Sequence, residues 1–297
     1  MPYRGRFAPS PSGPLHAGSL LTAVASFLEA RTRGGCWLVR MENIDPPREM
    51  PGADALILDG LARHGLHWDG PVLYQSTRSA RYRAVLDALL ARRLVYPCNC
   101  SRQRVVSLAG CYDGHCRRQP PDASAPCALR LKTDDLPNGE TASDDIRFVD
   151  RVQGAVHCVL SQAGGDFVIH RKDGLFAYQL AVVVDDIDQG ITDVVRGSDI
   201  LDATARQVYL MQLLGATPPT YAHVPVLLGS DGQKLSKQNR AAPIDLNTPS
   251  LNVCRALRQL GQTVPTAWVE ALPAVVLDWA VTQWRPEAIP RQMAITA

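Results

Sequence analysis

Lysine is scarce in this chain of 297 residues, which contains four lysines against 27 arginines. The formal net charge is only +2, so composition alone neither requires nor excludes a nucleic-acid partner. Two of the four lysines, Lys234 and Lys237, lie within one short stretch, KLSKQ. A lysine ammonium is a compact charge on a flexible stem. The clustering therefore favours a site that needs such a charge, and the alternative is chance placement on a solvated loop.

Long apolar runs are also missing from the chain. The chain contains no stretch of about 18 apolar residues, the length that a membrane-spanning helix needs. The N-terminal residues MPYRGRFAPSPSG contain no apolar segment of the signal-peptide type. We therefore expect a cytoplasmic protein with no membrane partner. Hydrophobic residues make up 46% of the chain, which is enough for a sizeable core and too many for global disorder.

The order of predicted elements indicates an α/β fold. A strand that ends at Arg6 to Ala8 precedes apolar residues at helical spacing from Leu20 to Leu28, and a buried strand follows over 36–42. This alternation predicts a doubly wound parallel sheet. The alternation stops after Tyr96 and resumes near residue 166. Prolines break the C-terminal part into what we expect to be a few short helices.

A loop rich in proline, serine and glycine joins the first strand to the first helix, in the sequence RFAPSPSGPLHAGS. The helix is predicted to begin near His16. Backbone N–H groups at a helix N-terminus bind anions, and His16 could contact a phosphate there. Gly13 and Gly18 would let a nucleotide come close to the backbone. Taken alone, the loop is equally consistent with a plain strand–helix connection.

A second polar loop, DGQKLSKQ, follows the last predicted strand. Its two lysines flank Ser236 and could close on a triphosphate, where they would neutralise charge that develops during phosphoryl or adenylyl transfer. Lysines spaced in this way occur on many surfaces, so this loop is a weak signal by itself. The pair of loops is far more specific, because one opens the α/β unit and the other follows its last strand.

Four of the eight cysteines lie in one short segment, as CNC over 98–100 and CYDGHC over 111–116. In a cytosolic chain, cysteines are more often metal ligands or core residues than disulfides. Thiolates clustered this closely suit tetrahedral zinc, although C-x-C is tighter than the usual spacing. The alternative is four reduced cysteines without a metal. From chemistry alone the ligands would come from Cys98, Cys100, Cys111, His115 and Cys116.

Together these motifs resemble those of a known family. PLHAGS and KLSKQ resemble the HIGH and KMSKS signatures of class I aminoacyl-tRNA synthetases. The strings RFAPSPSGPLHAGSLLTAVASFLEARTRGGCWLVRMENID and FAYQLAVVVDDIDQGITDVVRGSDIL are similar to bacterial glutamyl-tRNA synthetases. The resemblance implies a Rossmann-type catalytic domain formed by residues 1–96 and 166–229. It also implies an inserted zinc-bearing module over 97–165, and a KMSKS-like loop with a helical stem-contact-like region over 230–297.

The resemblance implies a role for each matching residue. His16, Lys234 and Lys237 would be catalytic, because they would stabilise the ATP phosphates while the glutamate carboxylate attacks the α-phosphate. ATP, accompanied by Mg²⁺, would lie against Pro9, Ser10, Gly13, His16, Gly18, Ser19, Lys234, Ser236 and Lys237. L-Glutamate would lie against Arg6, Ala8, Ser10, Glu42, Tyr178 and Arg196.

Within that glutamate site, Arg6, Tyr178 and Arg196 would hold the side-chain carboxylate and Glu42 the α-ammonium. A guanidinium binds a carboxylate through two parallel hydrogen bonds. A buried arginine that faces a neutral amide is poorly paired, which would disfavour glutamine by roughly 1.5–3 kcal/mol. The structural alternatives are that Arg196 pairs with Asp186 or Asp199 and that Tyr178 is a core tyrosine.

For the metal, the resemblance implies one structural zinc ion bound by Cys98, Cys100, Tyr112 and Cys116. Cys111 is not part of that ligand set. A phenolate is an unusual zinc ligand but a feasible one, since a metal lowers the pKa of the group that binds it.

The length after the KMSKS-like loop narrows the function. Only about 57 residues follow Arg240, too few for a stem-contact region and a typical anticodon-binding domain. Shortened relatives with a C-x-C…Y-D-G-H-C segment are the glutamyl-queuosine tRNA(Asp) synthetases. They activate glutamate with ATP and attach it to queuosine at the wobble position of the tRNA(Asp) anticodon stem-loop. The alternatives are a short glutamyl-tRNA synthetase that charges the tRNA 3′ end and a non-catalytic synthetase-like protein that binds amino acids or RNA.

Overall fold

The computed structural model describes residues 2–122, 124, 126–137, 139, 142–229, 231–235 and 242–297. Its strands are β1 (Arg4–Phe7), β2 (Cys36–Met41), β3 (Leu73–Tyr74), β4 (Val95–Cys98), β5 (Ala128–Leu131), β6 (Asp145–Asp150), β7 (Gly154–Val159), β8 (Phe167–His170), β9 (Asp193–Gly197), β10 (Thr220–Val224), β11 (Val226–Leu228) and β12 (Ala294–Thr296). Its α-helices are α1 (Ala17–Arg31), α2 (Ala53–Arg63), α3 (Ser79–Ala91), α4 (Arg102–Ser107), α5 (His115–Arg118), α6 (Tyr178–Asp188), α7 (Leu201–Leu213), α8 (Pro249–Gln259) and α9 (Pro273–Gln283). Short 3₁₀ turns cover Pro46–Arg48, Gln75–Arg78, Ser198–Ile200, Thr266–Glu270 and Pro286–Ala288.

Parallel strands form the centre of the molecule, as the alternating pattern predicted. One group has the order β3–β2–β1, and the other has the order β7–β6–β10–β9, in which β7 alone is antiparallel to its neighbour. The Thr192 N–H donates to the Arg4 carbonyl oxygen at 3.0 Å. Since Arg4 begins β1 and Thr192 directly precedes β9, the two groups lie side by side and run the same way. The carboxyl ends of these parallel strands therefore meet at one edge, where α/β proteins bind ligands.

Helix α1 packs its apolar face against this sheet. Leu21, Val24 and Leu28 recur at helical spacing and are fully buried, in one core with Trp37 and Val39 of β2. The helix begins after His16, and Gly34, with a φ of 60°, ends the turn that follows it. A second core forms between α3, α6, α7 and the other strands. The predicted α/β fold class is confirmed.

A smaller antiparallel sheet, with the order β4–β5–β8, lies beside the parallel strands. It carries the cysteine-rich segment, which leaves β4 at Cys98 and returns through α5. Strands β6 and β7, which follow in the chain, pair instead with the parallel strand β10. The four segment boundaries given above stay a prediction.

The C-terminal segment ends in a strand that the proline pattern did not predict. Strand β12 pairs with β11, and the Ala297 N–H donates to the Leu228 carbonyl oxygen at 2.9 Å. Residues 294–296 are too few to show a period in the sequence, so only the tertiary pairing defines this strand. The pairing supports β11 directly before the loop that contains Lys234. None of the described helices is long and apolar enough to span a membrane.

Candidate active site

His16 caps the N-terminus of α1. The Ser19 N–H donates to His16 Nδ1 at 3.2 Å, and the His16 N–H donates to Ser19 Oγ at 2.8 Å. Because Nδ1 accepts a hydrogen bond, the neutral imidazole carries its proton on Nε2, which is then a donor. A donor beside the positive end of a helix dipole suits a phosphate oxygen.

The KMSKS-like loop lies against this helix end. Leu235 donates its N–H to Leu227 at 2.7 Å, which turns residues 231–235 back along β11. A Cβ atom added to Gly18 would lie only 3.4 Å from the Leu235 carbonyl oxygen. Lys234 Nζ lies 2.5 Å from Asp199 Oδ2. The two signature segments are therefore neighbours, although they are far apart in the sequence.

Two of the predicted loop residues, Ser236 and Lys237, lie outside the described residues, and their roles stay predictions. In the first loop, the carbonyl oxygen of Pro9 accepts the Glu42 N–H at 3.0 Å, which holds residues 8–10 beside the end of β2. Gly13 has a φ of 147°, a conformation that residues with a side chain rarely adopt. Ala8 and Ser10 lie in the same turn, before α1.

Three polar side chains lie at or just beyond the ends of neighbouring parallel strands, and a fourth, Tyr178, begins α6 beside them; we call this group of side chains the pocket. Arg6 lies near the end of β1, and Glu42 directly follows β2. Arg196 in β9 lies opposite His223 in β10 in the strand register. Tyr178 begins α6 and approaches Arg196, with 3.5 Å between its hydroxyl and Nη1. The predicted glutamate-site residues are thus brought together from elements spread over almost the whole catalytic region.

Arg6 is already paired with a carboxylate. Its Nε lies 3.1 Å and its Nη2 3.5 Å from the two oxygens of Asp186, which also lies 2.8 Å from Arg40 Nη2. All three side chains are at most 4% exposed. Desolvation would raise the pKa of Asp186, but the two guanidinium groups lower it below its ordinary value. Asp186 is therefore ionised and neutralises part of the Arg6 charge.

Arg196 has a different environment, although it is only 4% exposed. Its Nε donates to His223 Nε2 at 2.9 Å, and its Nη2 donates to Thr204 Oγ1 at 2.7 Å. Both partners, like Tyr178, are uncharged. Within the described part of the chain no carboxylate forms an ion pair with Arg196. Arg196 therefore pairs with neither Asp186 nor Asp199, the structural alternative given above.

Glu42 supplies the negatively charged group of the pocket. Burial raises the pKa of Glu42, and the positive charges of Arg40 and Arg6 oppose that rise. Its Oε1 lies 3.5 Å from Arg40 Nη2, a long contact for an ion pair. A further cation would stabilise its ionised form. The pocket therefore offers a guanidinium for a carboxylate and a carboxylate for an ammonium, which are the charged groups that every α-amino acid carries.

Three of the predicted metal ligands converge at a second centre. The sulfur atoms of Cys98, Cys100 and Cys116 all lie within 4.8 Å of one another. The Tyr112 hydroxyl lies 3.5 Å from Cys98 Sγ and 3.6 Å from Cys100 Sγ. Two Zn–S bonds of about 2.3 Å at a tetrahedral angle separate the sulfurs by about 3.8 Å. The cluster therefore has the dimensions and the soft donors that suit zinc.

Cys111 points away from this cluster. Its Sγ lies 3.3 Å from the Ser161 carbonyl oxygen, and it is not among the three converging cysteines. On the other side, Arg130 Nε donates to Cys98 Sγ at 3.2 Å, while its guanidinium lies 4.0 Å from the centre of the Tyr112 ring. Of the alternatives left open by the sequence, the geometry favours Tyr112 over Cys111.

Comparisons with known proteins agree with this geometry. The family described as "tRNA synthetases class I (E and Q), catalytic domain" matches residues 3–267. A glutamyl-Q tRNA(Asp) synthetase of Pseudomonas aeruginosa is 50% identical over 97% of this chain and 96% of its own length. The chain belongs to the glutamyl-Q tRNA(Asp) synthetase family. A second such relative, from Ectopseudomonas mendocina, is also 50% identical, over 99% of this chain and 97% of its own length.

Solved structures show the fold of this glutamyl-Q tRNA(Asp) synthetase family member independently. A glutamate tRNA ligase of Elizabethkingia meningosepticum matches with a TM-score of 0.79 over 99% of this chain and 67% of its own. At 23% identity this likeness shows the fold alone. The resemblance predicted from the HIGH-like and KMSKS-like motifs is confirmed, and the roles of individual residues stay predictions.

The sequence did not point to several polar residues that lie behind the pocket and contact one another or Arg196. His223 and Thr204 contact Arg196, and Asp150 contacts His223. Gln207 is 2% exposed and lies close to Tyr178. A histidine inside the apolar strand TYAHV was the one available signal, because a buried polar side chain in a strand requires a partner.

Proposed function

We propose that the protein activates L-glutamate with ATP and transfers the glutamyl group to the queuosine base at the wobble position of tRNA(Asp). The observation that carries this proposal is the 50% identity to glutamyl-Q tRNA(Asp) synthetases over nearly the full length of both chains. The polar pocket agrees with it, because Arg196 can pair with a carboxylate and Glu42 with an ammonium. A cytoplasmic location is part of the same proposal, since tRNA is the acceptor.

In the activation step, a glutamate α-carboxylate oxygen attacks the α-phosphorus of ATP and pyrophosphate leaves. The Nε2–H of His16 and the ammonium groups of Lys234 and Lys237 would stabilise the negative charge that moves onto the phosphate oxygens. Mg²⁺ would accompany the triphosphate. The loop around Leu235 lies close to the first turn of α1 at Gly18, which agrees with this arrangement. The charge-stabilising groups thus come from both signature segments.

Recognition of glutamate would depend on Arg196 and Glu42. Arg196 donates to neutral groups only among the described residues, so its charge is available to a substrate carboxylate. Glutamine would present an amide that cannot neutralise this buried guanidinium, and the mismatch disfavours it. Glu42 would accept the α-ammonium, which would stabilise its ionised form. Arg6 would contribute through the part of its charge that Asp186 leaves uncompensated.

In the transfer step, a hydroxyl of the queuosine cyclopentene ring would attack the glutamyl carbonyl carbon. An ester forms and AMP leaves. The ring carries a vicinal diol, as a terminal ribose does, so the same active site can serve once the RNA is docked. Unstacked bases of an anticodon loop are accessible to side chains, which favours this acceptor. Contacts to phosphates would make RNA binding weaken as salt increases.

We infer that the cysteine centre binds one structural Zn²⁺ through Cys98, Cys100, Cys116 and Tyr112. Four protein ligands would close the coordination shell, whereas a catalytic zinc keeps one position open. Burial raises the pKa of Tyr112, so coordination as a phenolate would require the charge of the metal. The ligands come from the end of β4, the turn before α5 and α5 itself, so the metal would fix this segment against the small sheet.

Pyrophosphate exchange tests the activation step without RNA. Purified protein is incubated with ATP, Mg²⁺ and labelled pyrophosphate, and label incorporated into ATP is measured with glutamate, glutamine or aspartate. We expect exchange with glutamate in the absence of tRNA, because every proposed site residue lies within the matched catalytic domain. Exchange that requires tRNA, or that proceeds equally with glutamine, would contradict the proposed site.

A further inference from the structure

A chain of buried hydrogen bonds holds Arg196 from behind the pocket. Asp150 Oδ2 lies 2.6 Å from His223 Nδ1, and His223 Nε2 lies 2.9 Å from Arg196 Nε. Thr204 completes a triangle, since its Oγ1 is 2.7 Å from Arg196 Nη2 and 3.2 Å from His223 Nε2. None of these four side chains is more than 4% exposed. Water therefore cannot replace any of these contacts without a rearrangement of the core.

The residues at the two ends of this series of hydrogen bonds determine which groups donate and which accept. An arginine can only donate, so His223 Nε2 must be the acceptor. The proton of the neutral ring then lies on Nδ1 and is donated to the Asp150 carboxylate. Burial lowers the pKa of His223, which agrees with a neutral imidazole. Hydrogen bonds from His223 and from backbone N–H groups hold the pKa of Asp150 at about 2 against the opposing effect of burial, so it is ionised.

A neutral acceptor has a consequence that a carboxylate in the same place would not have. A carboxylate beside Arg196 would orient the guanidinium and also neutralise it, as Asp186 does for Arg6. His223 orients the guanidinium and leaves its positive charge uncompensated at the contact. The negative charge of Asp150 lies one residue further back and fixes the imidazole instead. This arrangement separates orientation of the arginine from neutralisation of its charge.

We propose that His223, oriented by Asp150, is a positioning residue for glutamate recognition that aims the uncompensated Arg196 guanidinium at the substrate carboxylate. This inference rests on the proposed function, because it assumes that glutamate is the amino acid bound. It gives His223 no contact with glutamate or ATP and no proton transfer in the reaction. Its effect is on glutamate affinity and on discrimination against glutamine.

Two substitutions of His223 separate positioning from simple loss of packing. His223→Gln places an amide oxygen near the position of Nε2, so an acceptor for Arg196 is retained and the donor to Asp150 is lost. His223→Asn places an amide N–H₂ near the position of Nδ1, so the donor to Asp150 is retained and the acceptor for Arg196 is lost. Both variants remove the ring and leave a polar amide of similar size in a buried strand. A purely structural role predicts similar defects in the two.

The assay is glutamate-dependent pyrophosphate exchange by the full chain, with the KM for glutamate, the KM for ATP, kcat and the thermal unfolding midpoint measured for each variant. We expect His223→Asn to raise the KM for glutamate by about 10- to 100-fold, the range for losing one hydrogen bond to a charged group. The KM for ATP should change less than about threefold. His223→Gln should recover most of the glutamate affinity.

Equal KM values for glutamate in the two variants, or a parallel rise in the KM for ATP, would overturn the proposal. If neither His223 variant folds, Thr204→Val and Thr204→Ser test the same chain. Valine removes the hydroxyl that contacts Arg196, and serine restores it, so only valine should raise the KM for glutamate. Failure of the proposed function is a separate result, because the unsubstituted protein would then show no exchange with glutamate.

Discussion

Replacing Arg196 by methionine would test the recognition of glutamate most sharply. A guanidinium has five N–H donors. In the structure, His223, Thr204 and Tyr178 each accept one of them, although the tyrosine contact is long at 3.5 Å. Among the described residues, this leaves two N–H groups for a substrate carboxylate, the number that a bidentate contact requires. Arg196→Met removes both, together with the charge.

The expected magnitude follows from that count. A hydrogen bond to a charged group contributes about 1.5–3 kcal/mol, so two at the lower end contribute about 3 kcal/mol. At about 1.36 kcal/mol per tenfold change, the loss corresponds to roughly a 150-fold lower kcat/KM for glutamate. Glutamine should lose much less, because it never formed a charged contact. The preference for glutamate over glutamine should therefore largely disappear.

Pyrophosphate exchange at varied glutamate and glutamine concentrations measures this effect, with Arg196→Lys as the matched control. Lysine keeps a positive charge but cannot contact His223, Thr204 and the substrate at once, so its glutamate defect should be intermediate. His223 and Thr204 lose a donor in Arg196→Met, so thermal unfolding must confirm that the variant is folded at the assay temperature. A glutamate kcat/KM within threefold of the unsubstituted protein would show that Arg196 does not bind the substrate carboxylate.

Three further substitutions test the Arg6 pair, the metal centre and the KMSKS-like loop. Arg6→Leu should lower the free energy of unfolding by about 3–5 kcal/mol and abolish exchange, because it breaks a buried pair with Asp186. The control Arg81→Leu breaks an exposed pair and should change the free energy of unfolding by less than about 1 kcal/mol. An unchanged urea midpoint for Arg6→Leu would contradict the first expectation. Cys116→Ser should lose bound zinc, whereas Cys111→Ser should retain one zinc per chain. Metal analysis of protein purified without chelators measures both. Loss of zinc from both variants would return Cys111 to the ligand set. Lys237→Ala should slow adenylate formation by about 10²–10³-fold. Lys172 lies outside both signature segments, so Lys172→Ala should leave the rate unchanged. Equal rates of adenylate formation in the two variants would remove Lys237 from the mechanism.

The sequence predicted the fold and the family well, for an identifiable reason. Parallel strands place their carboxyl ends at one edge, so residues that end different strands must meet there once the topology is known. Arg6, Glu42 and Arg196 satisfy that condition, and their convergence needed no knowledge of side-chain contacts. The HIGH-like loop likewise lies at the first strand–helix connection, where the pattern of apolar residues located the start of α1.

What the sequence could not predict are the contacts between such residues. Whether Asp186 would pair with Arg196 or with Arg6 depends on how helix α6 packs against β1 and β9, and only the packed structure decides it. The contact between Asp150 and His223 joins residues 73 positions apart and depends on the register of β6 against β10. Register is set by the hydrophobic pattern of whole strands and is not encoded by either residue alone.

The cysteine segment shows both limits at once. The spacing indicated a metal centre, and three cysteines do converge, but spacing could not decide between Cys111 and Tyr112. Cys111 is adjacent to Tyr112 in the chain, yet its sulfur contacts the Ser161 carbonyl oxygen across the module. The direction of each side chain depends on the turn between α4 and α5, where Ala109 and Gly110 adopt positive φ values.

Identification of the nucleoside that receives glutamate would show directly which acceptor this protein uses. The protein is incubated with ATP, labelled glutamate and tRNA(Asp) either containing or lacking queuosine, and the tRNA is digested to nucleosides for mass spectrometry. We expect glutamate on queuosine only, with no transfer to tRNA(Asp) that lacks it. Glutamate on the 3′-terminal adenosine, or equal transfer to both tRNAs, would contradict the proposed acceptor and favour an enzyme that charges the tRNA 3′ end.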